Sequence, residues 1–301
     1  MQTIPLPGVK GKFDHMAVDL AKQRLFVAAK INNTLEVVDL KAGRRAKSLA
    51  GFQEPQGVLF LRDARQVVVA NGGDGDVRVL DGASLKVVRH VSFGADSDNL
   101  RYDAAARRVY VACRDGAIGV IDARAYTKLG EAALPAHPEA FSIEKHGTRI
   151  FVNVPKADAV FVLDRRTPKV IGSWPISASK ENYTMALDEQ YGRLFVGCRK
   201  PALVAVLDTA TGRTVTTFRI GGDTDCIFYD GAHRRVYITG AGGTLDVIEQ
   251  GDGDHYRRLT QMKTAPLART CLYVQEWDKL FIAVPNQPGR DAEVRVYQAC
   301  H

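Results

Sequence analysis

The sequence predicts an all-β chain folded as a seven-bladed β-propeller, four antiparallel strands per blade, with the N-terminal strand closing the ring in the last blade. Three observations predict it. A short apolar segment beginning at Leu25 recurs at Val67, Val109, Ile150, Leu194, Val236 and Leu280, at intervals of 41 to 44 residues. Each full copy carries four segments of strand length and strand composition, a pattern that repeat architectures with four strands per unit produce. The seventh copy stops one segment short, at "AEVRVYQACH", and the opening "QTIPLPG" supplies the missing piece.

Within a copy the first segment reads "HMAVD", "GVLFL", "NLRYD", "AFSIE", "TMALD", "CIFYD" or "TCLYV". The second, four or five residues of Val, Ile, Phe and Tyr, follows a basic residue in six copies: Arg24, Arg108, Arg149, Arg193, Arg235 and Lys279. β-Branched and aromatic residues in runs this short mark strands, not helices. The third segment ends in an acid at Asp39, Asp81, Asp122, Asp164, Asp208 and Glu249 but in Gln298 in the last copy. Turn residues follow ("KAGR", "DGAS", "TATGR"), so this acid is expected to accept backbone hydrogen bonds and start a turn. The fourth segment, such as "KVVRHVSF" or "TVTTFRI", is the outer strand. The chain is thus read as one domain, with blades over residues 12–53, 54–96, 97–137, 138–180, 181–222, 223–267, and 268–301 plus 1–9.

Composition narrows the function classes. The 301 residues carry 41 Lys and Arg against 34 Asp and Glu, a net charge of +7 with no basic block. A diffuse positive field favours anionic ligands or surfaces; a nucleic-acid or anionic-surface binder is the last alternative, suggested by net charge alone, since acids interleave with the bases at the mouth and few aromatics are placed for stacking. The five Cys form no CxxC pair, so they signal neither a zinc site nor a dense disulfide framework. Cys226 and Cys271 fall near the channel on adjacent blades and are read as buried thiols, a disulfide between them being the other reading. Cys113 and Cys198 are too far apart to bridge. No apolar run reaches a transmembrane length and "MQTIPLPG" lacks a signal-peptide pattern. A monomer is expected.

The phrase "LFVAAKINNTLEVVD" and its relatives "RRVYVACRDGAIGVIDARA" and "GRLFVGCRKPALVAVLDTATG" resemble the YVTN-repeat seven-bladed propellers, the group that includes the YncE-like bacterial proteins. The resemblance covers the whole chain and rests on scaffold residues. It implies a periplasmic or secreted location with a leader removed; from the residues alone a cytoplasmic one stays open.

Function is sought where the copies disagree. Loops entering the first strand and loops joining the second and third meet at one end of such a ring. Projected through the repeat, the slot of His15 holds Gly57, Asn99, Ala140, Thr184, Cys226 and Thr270, and the preceding slot holds Asp14, Gln56, Asp98, Glu139, Tyr183, Asp225 and Arg269, with His137 and Asn182 nearby. The other loops bring Lys30, Asn32, Asn71, Arg114, Lys156, Arg199 and Lys200. Arg101 stands where the other copies carry Ala17, Leu59, Ser142, Ala186, Phe228 or Leu272.

Three chemistries fit this mouth, beside a reading in which its groups satisfy one another and channel water as a polar plug tying the seven first strands together. The leading one is a small polar or anionic ligand, or a partner chain, held by Lys30, Asn71, Arg101, Arg114, Asn182, Tyr183 and Arg269, since Arg offers a planar fork to carboxylate or phosphate. A divalent metal ion on Asp14, Asp98, Asn99 and Asp225, with His15 and Glu139, is the second, a hard-oxygen site with one imidazole suited to calcium, magnesium or a hydrolytic metal, and it leads to a lactonase-like hydrolase or a lyase. Metal-free acid–base catalysis with His15 or Glu139 as proton carrier and Arg199 or Arg269 steadying an oxyanion is the third. His90 and His255 are read as surface residues of outer strands, and His146 and His233 as turn residues at the opposite end. The Gly-rich "NGGDGD" and "TGAGGT" are read as hairpin turns, not phosphate loops.

Overall fold

The computed structural model describes residues 1–113 and 116–299. Among these, 28 strands form seven four-stranded antiparallel sheets. Six sheets are built from consecutive strands; the seventh joins Thr270–Val274, Lys279–Val284 and Ala292–Gln298 to Gln2–Leu6. In that last pairing Gln2 faces Val296, Ile4 faces Val294 and Leu6 faces Ala292. The ring therefore closes as the repeat count requires, and both of the sheet edges that an open ring would expose are paired. Only two short 3-10 turns, Pro155–Ala157 and Gln275–Trp277, interrupt the strands, and no described helix is long and apolar enough to cross a membrane.

The core explains the apolar pattern. Second strands such as Arg24–Ala29 and Arg149–Val154 bury every residue after the first, because neighbouring blades cover both faces of the sheet. That is why they read as continuous runs and not as alternation. Apolar clusters fill the seven gaps between blades; the one at the seam packs Ile4, Leu6, Phe281 and Val294 of the last blade against Leu25, Val27 and Val38 of the first. Outer strands are largely exposed, as in Arg44–Leu49. The recurring acid does start turns: Asp81 Oδ1 accepts from the Ala83 and Ser84 amides at 3.1 and 2.7 Å, and Asp122 and Asp208 repeat the arrangement.

First strands stand innermost, each beside the first strands of its neighbours, and the last beside the first. Several of them break register where the chain enters. The ladder skips from Pro55 to Val58, from Ser97 to Leu100, from Asn182 to Thr184 and from Thr224 to Cys226. Such bulges leave residues unpaired and re-aim their side chains. Gln56, Gly57, Asp98, Asn99, Tyr183 and Asp225 are those residues. Gly57 is small for a reason, since a Cβ there would run into the Asp98 carbonyl of the adjacent blade.

The seam gives a direct stability test. Ile4 and Leu6 are fully buried while Thr3 points outward. Ile4→Ala and Leu6→Ala should each cost about 2–5 kcal/mol in urea unfolding, and Thr3→Ala no more than about 0.5 kcal/mol. Three equally small effects would show that the N-terminal strand does not hold the ring shut.

Candidate functional site

A central cavity of about 1010 Å³ runs between the first strands, and its polar mouth is lined from all seven blades. Asp14 and Glu139 occupy equivalent slots, each pinned through its own amide, which donates to Ala28 O and Asn153 O at 2.9 Å. Hydrogen bonds also tie blade to blade at this level: His15 N to Gln56 O at 3.2 Å, Ala140 N to Tyr183 O at 3.1 Å, and Thr270 Oγ1 to Phe13 O at 3.1 Å. Fixed backbone and bulged side chains together set the geometry.

The charged groups sort into two halves. On one side Arg199 stacks on the Tyr183 ring, 3.5 Å from its centroid, and its guanidinium meets Asp223 at 3.0 Å and Asp225 at 2.5 Å. Arg269 reaches the same two carboxylates at 3.4 and 2.8 Å. This half is internally neutral. Burial pushes the Asp225 carboxyl above its usual pKa, and the two guanidinium groups only partly offset that.

The other half is acidic. His15 Nδ1 is in 2.6 Å contact with Asp14 Oδ1, and Lys30 Nζ stands 3.9 Å from Asp14 Oδ2 while donating to Gln56 Oε1 at 2.5 Å. Gln56 in turn donates to Asp96 at 2.6 Å. Burial would raise Asp14 and lower His15, but each outweighs it for the other: the His15 contact, with Lys30 and Arg269, carries Asp14 down, and Asp14, with Asp98, carries His15 up. His137 Nε2 lies 3.8 Å from Asp98 Oδ2 and 3.7 Å from Glu139 Oε1. Burial, then the charges of Asp98, Asp225 and Asp14, push the Glu139 carboxyl up to about 9 against the pull of Arg199.

Arg101 extends from its inner strand into the cavity. Its Nη1 donates to Asn99 Oδ1 at 2.9 Å and Leu100 O at 2.8 Å, and the guanidinium sits 5.4 Å from the Phe141 ring centroid. Burial lowers its pKa, with Cys226 and Asp98 opposing.

The mouth thus gathers Asp14, His15, Lys30, Asp98, Glu139, Tyr183, Arg199, Asp225 and Arg269 as the repeat offset requires, and places Arg101 below them. Asn99 is spent on Arg101. Asn71 and Asn182 are not in the mouth. Both stay in the paired ladder, opposite Pro55 and Cys198, and are fully buried. Asn71 donates to Asp76 O, and Asn182 donates to Asn153 Oδ1 and Ala159 O at 2.9 Å. Arg114 lies outside the described residues. Cys198, Cys226 and Cys271 are free thiols, Cys226 Sγ donating to Cys271 O at 3.1 Å. Asp96 and Asp223 escaped the slot-by-slot reading, yet "ADSD" and "GDTD" repeat an acid two residues ahead of the bulge, which is a legible signal.

No family model matches the chain. It shares 24% identity over 218 residues with "Uncharacterized protein YncE" of Salmonella typhimurium (strain LT2) and with the Salmonella typhi protein of the same name. By sequence the chain is similar to YncE. The alignment covers 67% of this chain and 61% of those relatives' length. Among solved structures, Kuenenia stuttgartiensis hydrazine synthase superposes with a TM-score of 0.81 at 15% identity, over 97% of this chain and 98% of that one. A chain of a mitotic checkpoint complex gives 0.82 at 15% identity, over 98% and 91%. At that identity both speak to architecture alone.

The raised Glu139 pKa makes a signed prediction. An unfolded glutamate titrates near 4.5 and this one near about 9, so between those values the unfolded chain releases a proton that the folded chain keeps. Folding stability therefore declines as pH rises through that window. Glu139→Gln should flatten that decline in urea unfolding between pH ~5 and ~9; parallel curves for the two proteins would show Glu139 ionising normally.

Proposed function

We propose that the protein is a binding module that holds a small ligand in the channel mouth by an anionic group, with Arg101 as its anchor. One observation carries this reading. Among the described residues, Lys30, Arg199 and Arg269 each have a carboxylate within ion-pair distance and Arg101 has none. Six blades put Ala, Leu, Ser or Phe at its position, so the fold does not ask for a cation there. A guanidinium brought into a partly buried channel loses hydration, and a carboxylate or phosphate presented to its open edge restores it through charge-assisted hydrogen bonds.

The surroundings support a small ligand over a polymer. One half of the rim is internally neutral and the other is acidic, an arrangement that opposes the long run of phosphates in a nucleic acid. Tyr183, clamped by Arg199, offers a fixed aromatic wall beside the opening. A second reading, a hydrolase or lyase at the same mouth, is favoured by Glu139, which keeps its proton at neutral pH and so could act as a general acid.

The test is titration calorimetry with dicarboxylates and phosphomonoesters at two salt concentrations. At least one class should bind, and Arg101→Leu, which copies Leu59 and Leu272 of other blades, should weaken it about 10- to 100-fold, the worth of a charged hydrogen-bonding contact. Binding that survives Arg101→Leu unchanged, or no binding by any probe, contradicts the proposal. Conversion of a bound ester or hydroxy acid, followed by NMR, would move the weight to the second reading.

A further inference from the structure

We infer that the acidic half of the mouth is a site for one first-row divalent transition ion, held by Asp98, His137 and Glu139, with His15 completing the set and Asp14 positioning His15. The inference deepens the ligand-binding reading, since it concerns the same mouth.

The spacing is the first reason. His137 Nε2 stands 3.8 Å from the Asp98 carboxylate and 3.7 Å from that of Glu139, too far for hydrogen bonds. Elsewhere in the protein a histidine among acids closes onto one: His233 Nδ1 reaches Asp230 Oδ2 at 2.6 Å. Ligand atoms about 2.1 Å from a tetrahedral ion stand about 3.4 Å apart, close to the separations seen. Candidate ligand atoms of Asp98, His137 and Glu139 all lie within 4.8 Å of one another, and so do those of Asp14, His15 and Asp98. Asp98 is the residue common to both groups.

Unmet polar demand is the second reason. Asp98 is only 7% exposed, and its Oδ1 is buried with no hydrogen-bond partner. The buried His137 Nδ1 likewise has none. An uncompensated carboxylate oxygen in such a place costs free energy unless a cation or donor meets it. No Lys or Arg does so among the described residues, although Lys30, Arg199 and Arg269 all stand at the same mouth.

Ligand chemistry selects the ion. Calcium and magnesium take oxygen ligands almost entirely. Two imidazoles with two carboxylates suit zinc, manganese, iron or cobalt instead. Asp14, in 2.6 Å contact with His15 Nδ1, leaves Nε2 of that ring as the donor, the carboxylate–histidine arrangement that orients ligands in metal sites. An ion here would also offset the local excess of carboxylates, which otherwise repels the anionic group that Arg101 is placed to receive.

The experiment uses the full chain, stripped with chelator and titrated with zinc sulfate alone by calorimetry. One equivalent should bind. His137→Gln and Asp98→Asn should each weaken it more than Asp14→Asn does, the last by about 10- to 100-fold. His233→Ala and His255→Ala should not change it. A cobalt-substituted sample should show hyperfine-shifted imidazole N–H protons from His15 and His137, a readout that holds even if a variant folds poorly. Zinc binding that survives His137→Gln and Asp98→Asn, binding lost instead in His233→Ala, absence of shifted imidazole protons, or no stoichiometric binding would each overturn the assignment. Because Arg101 is not among the zinc ligands and the zinc titration contains no dicarboxylate or phosphomonoester, failure here leaves the Arg101 reading standing, and unchanged anion binding in Arg101→Leu would leave this one standing.

Discussion

Antiparallel pairing of Gln2–Leu6 with Ala292–Gln298 is the interaction on which the rest of the structure depends. Without it the seventh blade has three strands and an open edge, and the apolar faces of Ile4 and Leu6 lose their place against Leu25 and Val27. Each blade buries its second strand only because another blade stands on either side, so the contacts are mutual around the circle. Closure also brings the first and seventh inner strands together, with Thr270 Oγ1 donating to the Phe13 carbonyl at the mouth. Asp14 and His15 follow directly after that carbonyl. The position of the site is therefore a consequence of the closing strand.

A closed ring of near-identical units has a further effect on chemistry. The scaffold's needs are met by the repeat itself: acids such as Asp81 and Asp122 start turns, and acids such as Asp19 and Asp230 cap the opposite end through amides of the next turn. Side chains that do not repeat are released from those duties. At the mouth they converge from seven blades onto one axis, where burial and mutual repulsion shape them, as the opposing shifts of Asp14 and Glu139 show. Arg199 and Arg269 neutralise Asp223 and Asp225; Arg101 on one hand and Asp98, His137 and Glu139 on the other are not neutralised in this way. These residues are the ones with interactions left to offer a ligand or an ion.

The architecture was largely legible in the sequence, because strand composition and a period near 42 residues leave few alternatives once seven copies are counted. Which loops share the mouth was legible too, since it follows from strand direction. Side-chain aim was not. Asn182 and Tyr183 are neighbours in the chain, yet a bulge turns Tyr183 to the mouth and leaves Asn182 in the buried ladder. Asn99 and Asp98 part company for the same reason, one hydrogen-bonded to Arg101 and the other facing His137. A bulge is a local matter of one residue against two, and no pattern of apolar residues records it. His137 stood out only as a nearby residue, because it belongs to the connecting loop and not to a slot of the repeat.

The central claim is that the mouth holds groups whose charge and hydrogen-bonding capacity the protein itself leaves unmet. A high-resolution crystal structure of the chelator-treated protein tests it most directly, through the side-chain positions around His137. The account predicts His137 Nε2 between the Asp98 and Glu139 carboxylates, close to the 3.8 and 3.7 Å found here, with Arg101 unpaired in the channel. The Asp98 and Glu139 carboxylates turned instead onto Lys30 and Arg101, each in a hydrogen-bonded ion pair, would contradict it and reduce the mouth to a self-satisfied polar plug.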